Sequence, residues 1–288
     1  MGVKRREEVA NGSDSIDHTG GSNGGDGPGR LGVARHGERK PMNEIDFGGS
    51  PIKRGAKNMQ VKRVQEWLNY HGVGRPVMDS EFGPATELCV KQFQKKKGLP
   101  VTGVVDKATF DRLVAPMRAA LKPIPANGKS LNQLIVAYAR QHIKQRPREL
   151  GGQNRGPWVR LYMDGNDGAD FLWCAGFATF PIKQAAEQLH KPMPVLRSFG
   201  VANIAADAKR KHHFLGLPGA ADRKKIKPGS LFLERGGPTG FVHCGIVTAV
   251  NGDTMTTIEG NSNEGGSSNG FEALARTRGF KQMDFALV

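Results

Sequence analysis

The hydrophobic positions of this chain change their period once. From residue 56 they recur at helical spacing: Val61, Val64 and Leu68 fall at i, i+3 and i+7, with Trp67 beside them. Gly83-Pro84 suits the start of a second helix, because proline is tolerated at the first helical position. That helix turns Cys89, Val90 and Phe93 inward and ends near Gly98. Asp106 is placed to cap a third, whose inner set is Phe110, Leu113 and Val114. The first two helices echo one another, Val61-Lys62-Arg63-Val64-Gln65 against Val90-Lys91-Gln92-Phe93-Gln94. The pattern predicts a small three-helix all-α domain over residues 56–120, with Cys89 an inert core thiol.

Pro123-Ile124-Pro125-Ala126-Asn127-Gly128 marks a boundary, and a second domain is expected over 128–288. Ser130 and Gln133 form a capping box opening a helix with Leu131, Leu134, Ile135 and Tyr138 on one face. Residues 151–170 read as a long polar, glycine-rich loop. The stretch 174–189 is helical in pattern but holds Pro181, which predicts a kink or restart. Ser198 is expected to cap a further helix bearing Val201, Ile204 and Ala205. From residue 230 the period becomes that of strands, over 230–234, 241–250, 254–259, 272–277 and 284–288. Helices first and an antiparallel sheet afterwards argue an α+β class.

Composition changes this picture at three points. Residues 1–55 carry nine basic and eight acidic residues and a run, 20–29, with six glycines in ten positions, which reads as a disordered arm and linker. The net charge of +15 comes from the two domains, so an acidic partner is favoured: wall polymer, nucleic acid or anionic membrane. No nucleic-acid module is recognisable, so no specific nucleic-acid partner is expected. No apolar run is long enough to span a bilayer, and the first 30 residues lack the apolar segment of a signal peptide. Three cysteines, Cys89, Cys174 and Cys244, make neither a disulfide framework nor a zinc spacing.

Chemistry converges on three stretches: Trp173-Cys174-Ala175-Gly176-Phe177, Phe241-Val242-His243-Cys244-Gly245-Ile246-Val247, and Thr257-Ile258-Glu259-Gly260-Asn261. A thiol at a helix N-terminus sees unpaired backbone N–H groups that favour thiolate, and a histidine beside it strengthens this. Strand parity provides an internal check. A three-residue loop at 251–253 sets Asn261 opposite His243 and Glu259 one diagonal step away on the same face, whereas a two-residue loop at Asn251-Gly252 turns both away. The catalytic arrangement therefore predicts the three-residue loop. It also sends Cys244 to the opposite face, into the core and clear of the reacting atoms.

Two resemblances follow from the motifs. Val64-Gln65, Asp79-Ser80-Glu81-Phe82-Gly83-Pro84-Ala85-Thr86, Val90 to Lys95 and Gly98 to Asp106 resemble the peptidoglycan-binding domain 1 family, which implies a wall-binding three-helix domain. The three catalytic stretches, with Lys227-Pro228-Gly229-Ser230-Leu231-Phe232, Gly265-Gly266-Ser267-Ser268 and Arg276-Thr277-Arg278, resemble the CHAP family of cysteine, histidine-dependent amidohydrolases/peptidases. That resemblance implies a papain-like (NlpC/P60-related) fold, Cys174 as nucleophile, His243 as base, and Glu259 and Asn261 as polar partners, with Glu259 orienting the imidazole. It implies cleavage of peptidoglycan amide bonds, between muramic acid and L-alanine or within the stem or cross-bridge. It needs no cofactor, although some members bind calcium. Here Asp164, Asn166, Asp167 and Asp170 supply oxygen ligands in the right neighbourhood without an EF-hand register. Made in a host cytoplasm without a signal peptide and acting on the wall, such a protein fits a phage endolysin, a virion-associated lysin or an injected effector. The rival expectation is an inactive wall-binding or virion structural protein.

Overall fold

Gln65 and Gln94, the last residues of the two echoing segments, explain how the helical region is built. Each sits buried near the middle or end of a helix and ties down the loop that follows. The Nε2 of Gln65 donates to Asp79 Oδ1 at 2.8 Å and to the Glu81 carbonyl at 3.0 Å, while its Oε1 accepts from Ser80 N–H. The Nε2 of Gln94 donates to the Val104 carbonyl at 2.8 Å, and its Oε1 accepts from the N–H groups of Thr102 and Gly103. The sequence echo is thus a repeated loop clamp, a buried amide satisfied on both sides.

The structure, a computed structural model, describes residues 44–238, 240–265 and 268–288. The run 4–8 and the glycine-rich stretch 20–29 lie outside the described residues, as do Gly266 and Ser267. In chain order the helices are α1 (Met59–Tyr70), α2 (Pro84–Lys96), α3 (Lys107–Leu113), α4 (Ala115–Leu121), α5 (Leu131–Lys144), α6 (Pro157–Tyr162), α7 (Cys174–Gln188) and α8 (Val201–Arg210). The strands are β1 (Phe214–Leu215), β2 (Leu231–Arg235), β3 (Phe241–Asn251), β4 (Thr254–Ser262), β5 (Glu272–Arg278) and β6 (Met283–Ala286). They form one antiparallel sheet in the order β1-β6-β2-β3-β4-β5. The architecture is mixed, a helical N-terminal region followed by helices packed on a sheet. Helices α5 and α7 lie against the sheet face that carries Leu231, Leu233, Cys244, Ile246 and Ile258, while Phe232, Val247, Met255, Met283 and Phe285 form a smaller cluster.

Several expectations need correction. Residues 44–55 of the expected arm are packed: Glu44 is buried, Ile52 bridges to Val105, and the Phe47 ring lies 5.5 Å from that of Phe110. The expected loop 151–170 contains α6, opened by Pro157, because Trp158 and Tyr162 bury there as core. A further short helix, α4, follows the expected third one and buries Met117 and Ala120. Helix α7 runs unbroken through Pro181, forfeiting only that residue's N–H. Ser198 does not cap α8; its hydroxyl bonds Gly200, which is itself the cap residue. The caps at Asp106 and Ser130 are as expected.

The helical region and the sheet region share a core. Trp67 of α1 meets Trp158 of α6 edge to face at 6.1 Å, and Trp158 stacks on Tyr162 at 6.3 Å. Beside them Arg160 is buried among carboxylates. It donates to Glu44 at 2.7 Å, to Glu66 of α1 at 2.6 Å and to Asp167 at 2.9 Å. Replacing Arg160 by Met leaves Glu66 without its cation and Glu44 with only the 4.0 Å approach of Arg63. Breaking one side of a buried ion network costs about 3–5 kcal/mol. Urea denaturation of Arg160→Met should show a loss of that size, whereas the exposed pair variant Lys57→Met should leave the midpoint almost where it is.

Candidate active site

Cys174 is the first residue of α7, where the leading N–H groups have no partner within the helix. The helix can approach the sheet this closely because Gly260 has no side chain: a Cβ there would lie 2.5 Å from Phe177 Cβ. Gly245 does the same for β3, where a Cβ would meet Glu259 Cγ at 2.7 Å and Phe232 at 2.8 Å. Trp173, whose ring also borders Gly260, stacks on Tyr162 at 5.7 Å and 6° and donates through Nε1 to Glu149 at 3.0 Å. Burial pushes the Glu149 carboxyl up.

His243 and Glu259 are both fully buried, and Nε2 of the ring bonds Glu259 Oε2 at 2.9 Å. The other ring nitrogen, Nδ1, is buried and makes no hydrogen bond of ordinary length. The Cys174 thiol acts on the same ring. Burial alone would depress the imidazole, but its interactions with Cys174 and then Glu259 outweigh that and push it up to about 9. The Cys174 thiol is held well below the ordinary range, first by a hydrogen bond from Cys244, then by His243 and the Ala175 N–H, against the opposing cost of burial. Cys244 is correspondingly raised. The negative charge belongs on Cys174, since that sulfur alone has the helix N-terminus and the imidazolium beside it.

Glu259 is anchored from every side. Arg278 of β5 grips it with two bonds, Nε to Oε1 at 2.6 Å and Nη2 to Oε2 at 2.7 Å, and Thr257 Oγ1 donates to Oε1 at 2.6 Å. Ser262 Oγ lies 3.3 Å from Oε2. Burial would raise this carboxyl, yet Arg278 and then His243 bring it down to about 2.

The hairpin reaches the anticipated register by a different route. The loop is Gly252-Asp253, with Asn251 paired to Thr254, and a bulge at Thr248 then shifts the ladder so that Val247 faces Thr257 and Ile246 faces Ile258. The three-residue loop is therefore absent. Thr248 Oγ1 holds the bulge by bonding Thr256 Oγ1 at 2.8 Å, and this adds the one residue that the loop was expected to supply. Asn261 differs as well. It occupies an irregularity in the pairing of β4 with β5 at φ 54°, and both carboxamide atoms are buried without a partner. His243 is bonded by Glu259 and not by Asn261. Cys244, expected to stay clear of the reacting atoms, is buried close enough to Cys174 to act on its thiol. Sequence reasoning placed no role on Arg278, Thr257, Ser262 or Cys244; only Thr257, two positions from Glu259 and so on the same strand face, had a local signal.

The oxygen ligands near the cysteine are otherwise engaged. Asp164 accepts from Arg197 at 3.0 Å and Asp167 from Arg160, while the Asn166 amide donates to the Met163 carbonyl. Among the described residues no three His, Cys, Asp or Glu side chains are grouped to hold a metal ion.

The charge arrangement has a direct chemical readout. Cys174 should be alkylated by iodoacetamide at pH 6, while Cys89 and Cys244, whose thiols are both raised, stay unmodified. Peptide mass spectrometry checks this, and equal labelling of Cys89 would contradict it.

Comparison with known proteins bears on the helical region. Residues 57–113 match the family described as "Putative peptidoglycan binding domain". Over 68 residues, 24% of this chain, the sequence is 37% identical to two Bacillus cereus proteins, each named spore cortex-lytic enzyme. The chain spans about a quarter (26%) of the length of those relatives. A solved structure, the SleB N-terminal domain, is 36% identical and covers 24% of this chain and 96% of its own, at a TM-score of 0.24, which carries no argument about the fold. Residues 57–113 thus carry the resemblance to a peptidoglycan-binding domain.

Proposed function

We propose that residues 128–288 act as a CHAP-like cysteine amidohydrolase of papain-like fold that cleaves amide bonds in peptidoglycan, as an N-acetylmuramoyl-L-alanine amidase or a stem or cross-bridge endopeptidase. One observation carries the reading: a thiol at a helix N-terminus shares a buried charge network with His243 and Glu259, in a chain that also carries a peptidoglycan-binding domain. The binding domain holds the polymer, and the site cuts it. Phage-driven lysis or delivery as an antibacterial effector fits such an activity.

The chemistry follows from the pair. Cys174 thiolate attacks the amide carbonyl carbon, and the oxyanion that forms takes hydrogen bonds from backbone N–H groups at the start of α7. His243, already protonated, gives its proton to the leaving nitrogen as the carbon–nitrogen bond breaks, leaving a thioester on Cys174. The neutral imidazole then takes a proton from water, hydroxide adds to the thioester, and the carboxylic acid leaves as the thiolate returns. Glu259 keeps Nε2 engaged, so Nδ1 is the nitrogen that exchanges protons with sulfur and substrate. The unpartnered Asn261 carboxamide supports a polar contact to the reacting groups.

Purified peptidoglycan treated with the wild-type protein should release new amino termini, and Cys174→Ala should reduce the rate by at least about a thousandfold. Mass spectrometry of the products separates free stem peptides from split cross-links. Release by Cys174→Ala at the wild-type rate would end the proposal. Activity should rise with ionisation of Cys174 below the usual thiol range and fall as pH passes about 9, where His243 loses its proton.

A further inference from the structure

Orientation of His243 needs one carboxylate oxygen, yet Glu259 also receives a two-pronged guanidinium. Arg278 is itself partly buried, its guanidinium carbon lying 5.1 Å from the centre of the Phe232 ring, and its Nη1 reaches Glu234 at 3.3 Å. The groups that face Glu259 are His243 from β3, Arg278 from β5, and the neutral hydroxyls of Thr257 and Ser262 on β4. Glu234 of β2 lies behind Arg278, and Cys174 of α7 and Cys244 of β3 lie beyond the imidazole.

The charges alternate along this line: Cys174 negative, His243 positive, Glu259 negative, Arg278 positive. Their sum is zero. It stays zero when the proton returns from the imidazole to the sulfur, since Glu259 and Arg278 still cancel. Without Arg278 both states would carry an uncompensated negative charge in a buried place, and a buried carboxylate in that position takes up a proton. A protonated Glu259 no longer stabilises imidazolium, and without imidazolium the thiolate reverts to thiol.

We infer that Arg278 is a positioning residue of this site, which acts through Glu259 to keep that carboxylate ionised and so sets the lowest pH at which Cys174 and His243 stand as an ion pair. The inference rests on the reading that Cys174 and His243 are the reacting pair, and it names a residue from the far edge of the sheet that touches neither of them.

The test reads the thiolate without substrate. The rate of iodoacetamide alkylation of Cys174, followed by peptide mass spectrometry, is measured against pH in wild type, Arg278→Lys and Arg278→Gln, with circular dichroism and melting as the check on folding. The midpoint of the acid limb should move up by about one pH unit or more in Arg278→Gln, a tenfold loss of thiolate at a given acidic pH. Arg278→Lys should recover at least half of that shift, because it keeps the charge and loses the fork. A folded Arg278→Gln with the wild-type midpoint would overturn the inference. Should Arg278→Gln fail to fold, Glu259→Gln and the double variant Glu259→Gln/Arg278→Gln decide: equal midpoints in the two support action through Glu259, and a further shift in the double variant refutes it. Peptidoglycan turnover, measured separately, reports on the proposed function: loss of turnover in wild type would sink that reading whatever the alkylation shows.

Discussion

A carboxylate with no exposure to water, Glu259, is the constraint around which the sheet region is arranged. A buried anion is tolerated only when its lone pairs are filled and its charge is matched. Four strands meet that demand or make space for it. β5 brings Arg278, β3 brings His243, β4 brings Thr257 and Ser262 beside the carboxylate itself, β2 brings Phe232 beneath the guanidinium, and the missing side chain of Gly245 lets Glu259 lie across β3. The same arrangement orients one nitrogen of an imidazole and leaves the other for the Cys174 sulfur. Stability and chemistry share one set of hydrogen bonds.

The helical region is joined to that site through packed matter. Rings run without interruption from Trp67 of the peptidoglycan-binding domain to Trp158, Tyr162 and Trp173, the residue before Cys174. Arg160 binds Glu66 of α1 on one side and Asp167, in the segment leading to the cysteine, on the other. Arg197 then fastens α6 to α7, donating to the carbonyls of Tyr162 and Gly176 at 2.6 Å each. Dense packing of this kind resists independent motion of the joined elements. The placement of the helical region relative to Cys174 is thereby built into the fold.

Much of this was readable along the chain because it depends on short-range rules. Helical spacing located α1, α2, α3 and α5, side-chain caps located the starts of α3 and α5, and alternation located β2 to β6. The thiol, imidazole and carboxylate stood out because each sits in a stretch whose local form was legible. The misses share another cause. Residues 44–55 and α6 look polar or glycine-rich and order only because Glu44, Trp158 and Arg160 find partners far along the chain. The hairpin is a further case: its register at the site was anticipated, yet the loop is two residues and the bulge at Thr248 makes up the difference, held by a cross-strand contact with Thr256.

By itself, the sequence determined the order of helices and strands, the echo between the first two helices, and the identity of a thiol, an imidazole and a carboxylate suited to one another. Those follow from periodicity, capping and residue chemistry, which act over a few positions. Only the tertiary structure decided that Arg278 neutralises Glu259, that Cys244 acts on the Cys174 thiol, and that Arg160 locks the two regions together. Each of these is a pairing of buried polar groups brought near by sheet register and helix packing. No local pattern encodes it, because the energy that selects it exists only once water has been excluded from both partners.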